Sequence, residues 1–134
     1  MSDHLKQITP VARLLGREVI SINPATGEVR MRFAARADFA NRHGTVQGGM
    51  LAAMLDSATG NAVLVSLPPG ETVVTMRLDT HFLKPAALGE IFATGRLVSR
   101  DERSAQAEAE LSDANGQIIA TARAELRIRV RRKD

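Results

Sequence analysis

Residues 41–60 read Asn-Arg-His-Gly-Thr-Val-Gln-Gly-Gly-Met-Leu-Ala-Ala-Met-Leu-Asp-Ser-Ala-Thr-Gly. A polar loop leads through Gly48 and Gly49 into an apolar helix that carries one acidic residue, Asp56. A carboxylate two turns inside a run of Met, Leu, Ala and Val is unfavourable unless it is paired or used. The first N–H groups of a helix have no intrahelical acceptor and attract anions. A thioester or ester carbonyl would therefore meet a carboxylate and an anion-binding N–H in this stretch.

The helix is expected to run to about Leu67, where Pro68-Pro69-Gly70 stops it. Its apolar residues cover nearly the whole circumference, which predicts a helix wrapped on most sides. Asp56, Ser57, Thr59, Gly60 and Asn61 interrupt the run from Met50 to Leu67, so it reads as a core helix and not as a membrane span.

Before the helix, residues 3–15 predict a short helix interrupted near Pro10, with Leu5, Val11, Leu14 and Leu15 for packing and Gly16 as its stop. Residues 17–23 and 28–34 predict a hairpin about the turn Asn23-Pro-Ala-Thr-Gly27, with Val29, Met31 and Phe33 on one face. After the helix come four expected strands, 71–83, 89–100, 103–112 and 117–130. Alternation is nearly strict in the last, with Ala120, Ala122, Ala124, Leu126, Ile128 and Val130 opposed to Thr121, Arg123, Glu125, Arg127, Arg129 and Arg131. Ala105, Ala107, Ala109 and Leu111 form a second small-residue face, which lets a helix lie close to the sheet. The order predicts an α+β fold, one antiparallel sheet folded around one long helix, with an exposed sheet edge able to pair with a second copy.

The bulk numbers narrow the function. At 134 residues the chain is expected to be a single domain, 1–134, with one core. Four Phe and no Trp or Tyr leave no aromatic platform for stacking bases, so nucleic acid is not an expected partner. Cysteine is absent, which removes disulfides, thiolate zinc sites and a cysteine nucleophile, and three scattered His offer no metal-ligand spacing. The first residues lack the basic-then-apolar build of a secretory signal. Together these predict a cytoplasmic protein without a membrane partner. The formal charge is +3, with basic residues crowded from Arg123 to Lys133. That excess suits an anionic partner or simply a solvated strand face.

Three anchors, in order, carry a family resemblance. The first is Asn41, Gln47-Gly48-Gly49 and Asp56, with the acid eight positions after the first glycine. The second is Thr80-His-Phe-Leu-Lys-Pro-Ala-Ala-Leu-Gly-Glu90, and the third is Asp113-Ala-Asn-Gly-Gln-Ile-Ile-Ala-Thr-Ala122. Over about residues 10–130 the chain resembles the hotdog-fold acyl-CoA thioesterases of the phenylacetate-pathway (PaaI) type. The resemblance implies Asp56 as nucleophile or general base and the Gly48 N–H as oxyanion donor. It further implies Asn41 as a holder of water or carboxylate, and Thr75 as a hydroxyl contributed from the opposite subunit. Gln47 stands where the family usually has His; it keeps hydrogen-bonding capacity but cannot titrate near neutrality.

Chemistry fits these types. Thiolate is a good leaving group, so hydrolysis of a thioester needs mainly a nucleophile or base and a stabilised oxyanion. Ala52, Ala53 and Gly60 leave room for an acyl group beside Asp56, with Gly49 at the entry, and the alanines would desolvate the carboxylate. Lys84, Arg103, Arg127 and Arg129 are the basic candidates for the coenzyme A phosphates. No separate cofactor and no metal are expected. The implied assembly is a homodimer pairing into a homotetramer. Two rivals remain on this reading: a hydroxyacyl-thioester dehydratase, disfavoured by Gln47, and a non-catalytic acyl-CoA-binding or regulatory protein. A nucleic-acid module on the basic last strand would show steeply salt-dependent binding.

Overall fold

The computed structural model describes residues 3–130. The expected N-terminal helix is two short helices, α1 (Asp3–Lys6) and α2 (Pro10–Leu14). Thr9 caps the second by accepting the Ala12 N–H at 3.2 Å, and Pro10 takes the first helical position, where its missing N–H has no cost. So short a helix buries one face only. Leu5, Ala12 and Leu15 enter the core, whereas Val11 and Leu14, expected to pack, face outward.

Strands β1 (Glu18–Asn23) and β2 (Glu28–Ala35) form the hairpin, closed by Gly27 in the left-handed region at φ 72°. Helix α3 (Gly48–Leu64) follows. It ends three residues sooner than expected, because Ser66 and Leu67 already bond carbonyls three residues back, at Val63 and Leu64. Then come β3 (Glu71–Phe82), β4 (Gly89–Arg100), β5 (Ser104–Ser112) and β6 (Ile118–Val130). All pairings are antiparallel in the order β1-β2-β4-β5-β6-β3. This is the sheet folded around one long helix that the hotdog resemblance implies.

The alanine faces do what their size allows. Ala105, Ala107, Ala109, Ala120, Ala122 and Ala124 are buried beneath α3 with Leu111, Leu126 and Ile128. Val130, expected on the same face, is 81% exposed at the strand's end. Gly95 marks the closest approach: a Cβ there would stand 2.4 Å from the Ala58 carbonyl oxygen of α3. Backbone meets backbone at that point, and no larger residue fits.

The helix is not wrapped all round. Leu51, Met54, Leu55, Ala58, Thr59, Ala62 and Val63 are buried, while Gly49 and Asp56 are exposed and Ala53 and Gly60 half-buried on the other side. Apolar composition concealed this open face. Buried Thr59 is satisfied by donating to the Leu55 carbonyl at 3.0 Å.

The last strand in the sheet order, β3, pairs on one side with β6 and carries a bulge between Thr75 and Arg77. Residues opposite one another in register share a face. Val73 and Thr75 therefore point to the helix side with Ile128 and Leu126. After the extra residue, Met76, the parity resets, and Leu78, Thr80 and Phe82 face that side opposite Ala124, Ala122 and Ala120.

Candidate active site

Asp56 projects from the open face of α3 and is exposed in the single chain, contrary to the desolvation expected from its alanine neighbours. Ala52 and Ala53 are too small to cover it. It is not alone, however. The Thr75 hydroxyl, from the inner face of β3, donates to Asp56 Oδ1 at 2.8 Å. Oδ2 has no partner among the described residues. Both residues of this contact belong to one chain. The contact fixes one carboxylate oxygen and leaves the other free for chemistry.

Gly48 opens α3. Its N–H and that of Gly49 have no protein acceptor among the described residues, as first-turn donors require an outside partner. The preceding Gln47 is exposed, makes no side-chain cap bond, and holds its own N–H on the Phe39 carbonyl at 2.9 Å. Gly48 and Asp56 are eight residues apart on one helix, about 12 Å along its axis at the usual rise. A reacting carbonyl needs the N–H about 3 Å from its oxygen and the carboxylate about 3 Å from its carbon or from the water attacking it, a span well short of that separation. The two groups of one helix therefore cannot serve the same carbonyl, a constraint the sequence reading overlooked.

Asn41 is committed to its own loop. Its Oδ1 accepts the N–H of His43 at 2.9 Å and of Thr45 at 3.2 Å, and its Nδ2 donates to Thr45 Oγ1 at 3.0 Å. The loop is thereby fixed ahead of Gly48, with Val46 bonded to the Ala86 carbonyl at 2.9 Å. This gives Asn41 a positioning role in the single chain and not a direct contact with Asp56.

The basic candidates scatter. Lys84 is held by Asp113 at 2.8 Å and by Gln117, beside a cleft of about 450 Å³ that also takes in Leu88 and Ile119. The Lys84 ammonium, with the Gln117 N–H second, lowers the Asp113 carboxyl below its ordinary pKa. Arg127 and Arg129 lie opposite Val74 and Thr72, on the sheet face turned away from α3. Arg103 shares a separate cleft of about 540 Å³ with Asp101, Ser104 and Arg127. The structure brings none of these four together with Asp56. A cation that sequence reading passed over is Arg42, exposed in the loop before Gly48 and without a side-chain bond among the described residues. Phe82 was also passed over as a site residue: its ring lies 3.9 Å from where a Gly48 Cβ would stand. Gly49 and Gly60 have no heavy atom within 4 Å of a Cβ position, so space is open over both.

Among the described residues no group of three or more His, Cys, Asp or Glu is placed to hold a metal ion, and no helix is long and apolar enough to cross a membrane. Arg131, Arg132 and Lys133 of the basic tail lie outside the described residues.

The family model described as Thioesterase superfamily matches residues 43–120, from the loop before Gly48 to the last strand. The chain belongs to the thioesterase superfamily. Like its members it is a thioester hydrolase of the hotdog fold. This thioesterase is 27% identical to human acyl-coenzyme A thioesterase 13 over 113 residues, 83% of this chain and 79% of that protein. A phenylacetic acid degradation-related protein of Ralstonia eutropha superposes with a TM-score of 0.86 at 34% identity, covering 92% of this chain and 96% of that one. A mutant form of the phenylacetic acid degradation protein PaaI from Thermus thermophilus gives a TM-score of 0.77 at 27% identity, covering 89% and 98%.

Proposed function

We propose that this thioesterase hydrolyses acyl-CoA, and that each active site is built from two copies of the chain. One copy supplies Asp56 with Thr75; the other supplies the Gly48 N–H. The observation that carries this reading is the pairing of Asp56 with Thr75 on the open face of α3, about 12 Å along the helix from the unpartnered N–H of Gly48. The free edge of β3, with Met76 57% exposed, supports a second copy aligned along it.

In this site the thioester carbonyl oxygen rests on the Gly48 N–H at the positive end of α3. Asp56 either takes a proton from the attacking water or adds to the carbonyl carbon itself, with water then cleaving the acyl-enzyme. Either route breaks the C–S bond and yields the free acid and the CoA thiol. Thr75 orients the carboxylate, Asn41 fixes the loop that aims Gly48, and Gln47 offers its amide to the substrate or water. Gly49 and Gly60 leave the space that substrate and partner fill. Arg42 is the cation best placed for a phosphate, since Lys84 is paired and Arg127 and Arg129 face away.

The test is thiol release from aromatic and aliphatic acyl-CoAs by wild type, Asp56→Asn and Asp56→Ala. Turnover that collapses in both variants, with fold and oligomer intact, is expected. Arg42→Ala should raise KM and leave kcat. Acyl-CoA binding without any thiol release would instead favour a non-catalytic binder, the reading to which Gln47 lends weight. Turnover surviving both Asp56 changes would refute the assignment of that residue.

A further inference from the structure

Four aromatic side chains occur in the protein, all Phe. Phe33 and Phe39 are buried and Phe92 is half-buried, whereas Phe82 is 51% exposed. A large apolar ring left open is the less common arrangement and asks for a ligand or partner. Phe82 is not on the solvent face of the sheet. The bulge after Thr75 turns it to the helix side, opposite fully buried Ala120, and its Cε1 and Cζ lie 3.9 Å from a Cβ position on Gly48. The chain leaving it is pinned, since the N–H groups of Leu83 and Lys84 both bond the Ile119 carbonyl, at 2.8 and 3.2 Å. Leu83 beside it is 60% exposed, and the nearest cation in sequence, Lys84, is neutralised by Asp113. The oxyanion donor thus stands next to a fixed, apolar, uncharged wall.

We propose that Phe82 is a specificity-determining residue, the wall on which an apolar acyl group packs when its thioester oxygen sits on the Gly48 N–H. This rests on the thioesterase reading above and deepens it. An oxygen held about 2.9 Å from that nitrogen leaves the first acyl carbons within van der Waals reach of the ring. Aliphatic chains of several carbons and aryl groups gain that contact. Acetyl is too short for it, and a terminal carboxylate, as in succinyl, would lose hydration against the ring.

The test is kcat/KM for hexanoyl-, acetyl- and succinyl-CoA in wild type, Phe82→Ala and Phe82→Leu. The hexanoyl-to-acetyl ratio is expected to fall about tenfold in Phe82→Ala, the scale of a lost apolar pocket contact, and less in Phe82→Leu, which keeps an apolar side chain on the strand. Equal losses on all three substrates would overturn the proposal, because the ring would then act only on the helix start or on the CoA arm. Binding of the same acyl-CoAs to Asp56→Asn, with and without Phe82→Ala, reads the subsite without turnover. A hexanoyl preference that disappears with the ring sustains the proposal even if wild type releases no thiol. A preference that stays, or no preference at all, rejects it.

Discussion

Two glycine positions on either side of the sheet–helix interface have opposite surroundings. At Gly95 the helix backbone fills the space a Cβ would need, at 2.4 Å from the Ala58 oxygen. At Gly60, on the other face of α3, nothing lies within 4 Å. Neither has a positive φ, so backbone conformation explains neither. Gly95 is a packing glycine, satisfied inside one chain. Gly60, inside the helix, carries the helix-propensity penalty of about 1 kcal/mol relative to Ala without any packing return in that chain. One helix therefore has a finished face and an unfinished one, and Asp56 stands on the unfinished one.

The largest expected effect comes from the open side. Gln47 precedes the helix at φ −56° and ψ 133°, a geometry that accepts a following proline. Gly48→Pro should keep α3, since proline suits the first helical position, while deleting the N–H. Loss of about 10²–10³ in kcat is expected, with circular dichroism unchanged; Gly48→Ala, which retains the N–H, is the control. Smaller effects should separate the two faces by sign. Gly95→Ala should cost about 1–3 kcal/mol in urea unfolding through overpacking. Gly60→Ala should hold or raise helix stability by up to about 1 kcal/mol and weaken acyl-CoA binding. Equal destabilisation by both would erase the distinction between the faces.

The smallest effect concerns the outer sheet surface. Glu108 accepts from Arg96 at 2.8 Å and from Arg123 at 3.3 Å. The Arg96 bond first, with Arg123 behind it, lowers the Glu108 pKa. A lowered folded-state pKa contributes stability above the unfolded carboxyl value, lost as pH falls through the folded one. With the Glu108 side chain 33% exposed, solvent screening keeps the contribution below about 1 kcal/mol. Glu108→Gln should flatten the acid limb of a stability-versus-pH curve by that amount, and an unchanged limb would remove the network from the account.

The same contrast separates what was legible in the sequence from what was not. Alternation in residues 105–111 and 120–128 gave the buried strand faces, and Gly48, Gly49 and Asp56 gave the helix with its reactive acid. These are local signals, periodicity and punctuation. The open face of α3 was not legible, because alanine and glycine look equally apolar whether covered or bare. Nor was the Thr75–Asp56 bond, which joins residues 19 apart through the fold. A one-residue bulge at Met76 reverses the parity of everything after it, so simple alternation could not place Phe82 beside Gly48. Arg127 and Arg129 did stand opposite the alanines in sequence, and that parity already set them on the face away from Asp56. The helix rise was equally available: eight residues separate Gly48 from Asp56, too far for one carbonyl.

That separation makes shared sites the central claim, and subunit mixing tests it directly. Asp56→Asn and Gly48→Pro chains, each nearly inactive alone, would be combined under exchange and assayed for thiol release. In a two-fold dimer with sites built across copies, each mixed dimer holds one intact site, which restores about a quarter of wild-type activity. If Asp56 and Gly48 of one chain served the same site, every site in the mixture would be defective and activity would stay at the level of the separate variants.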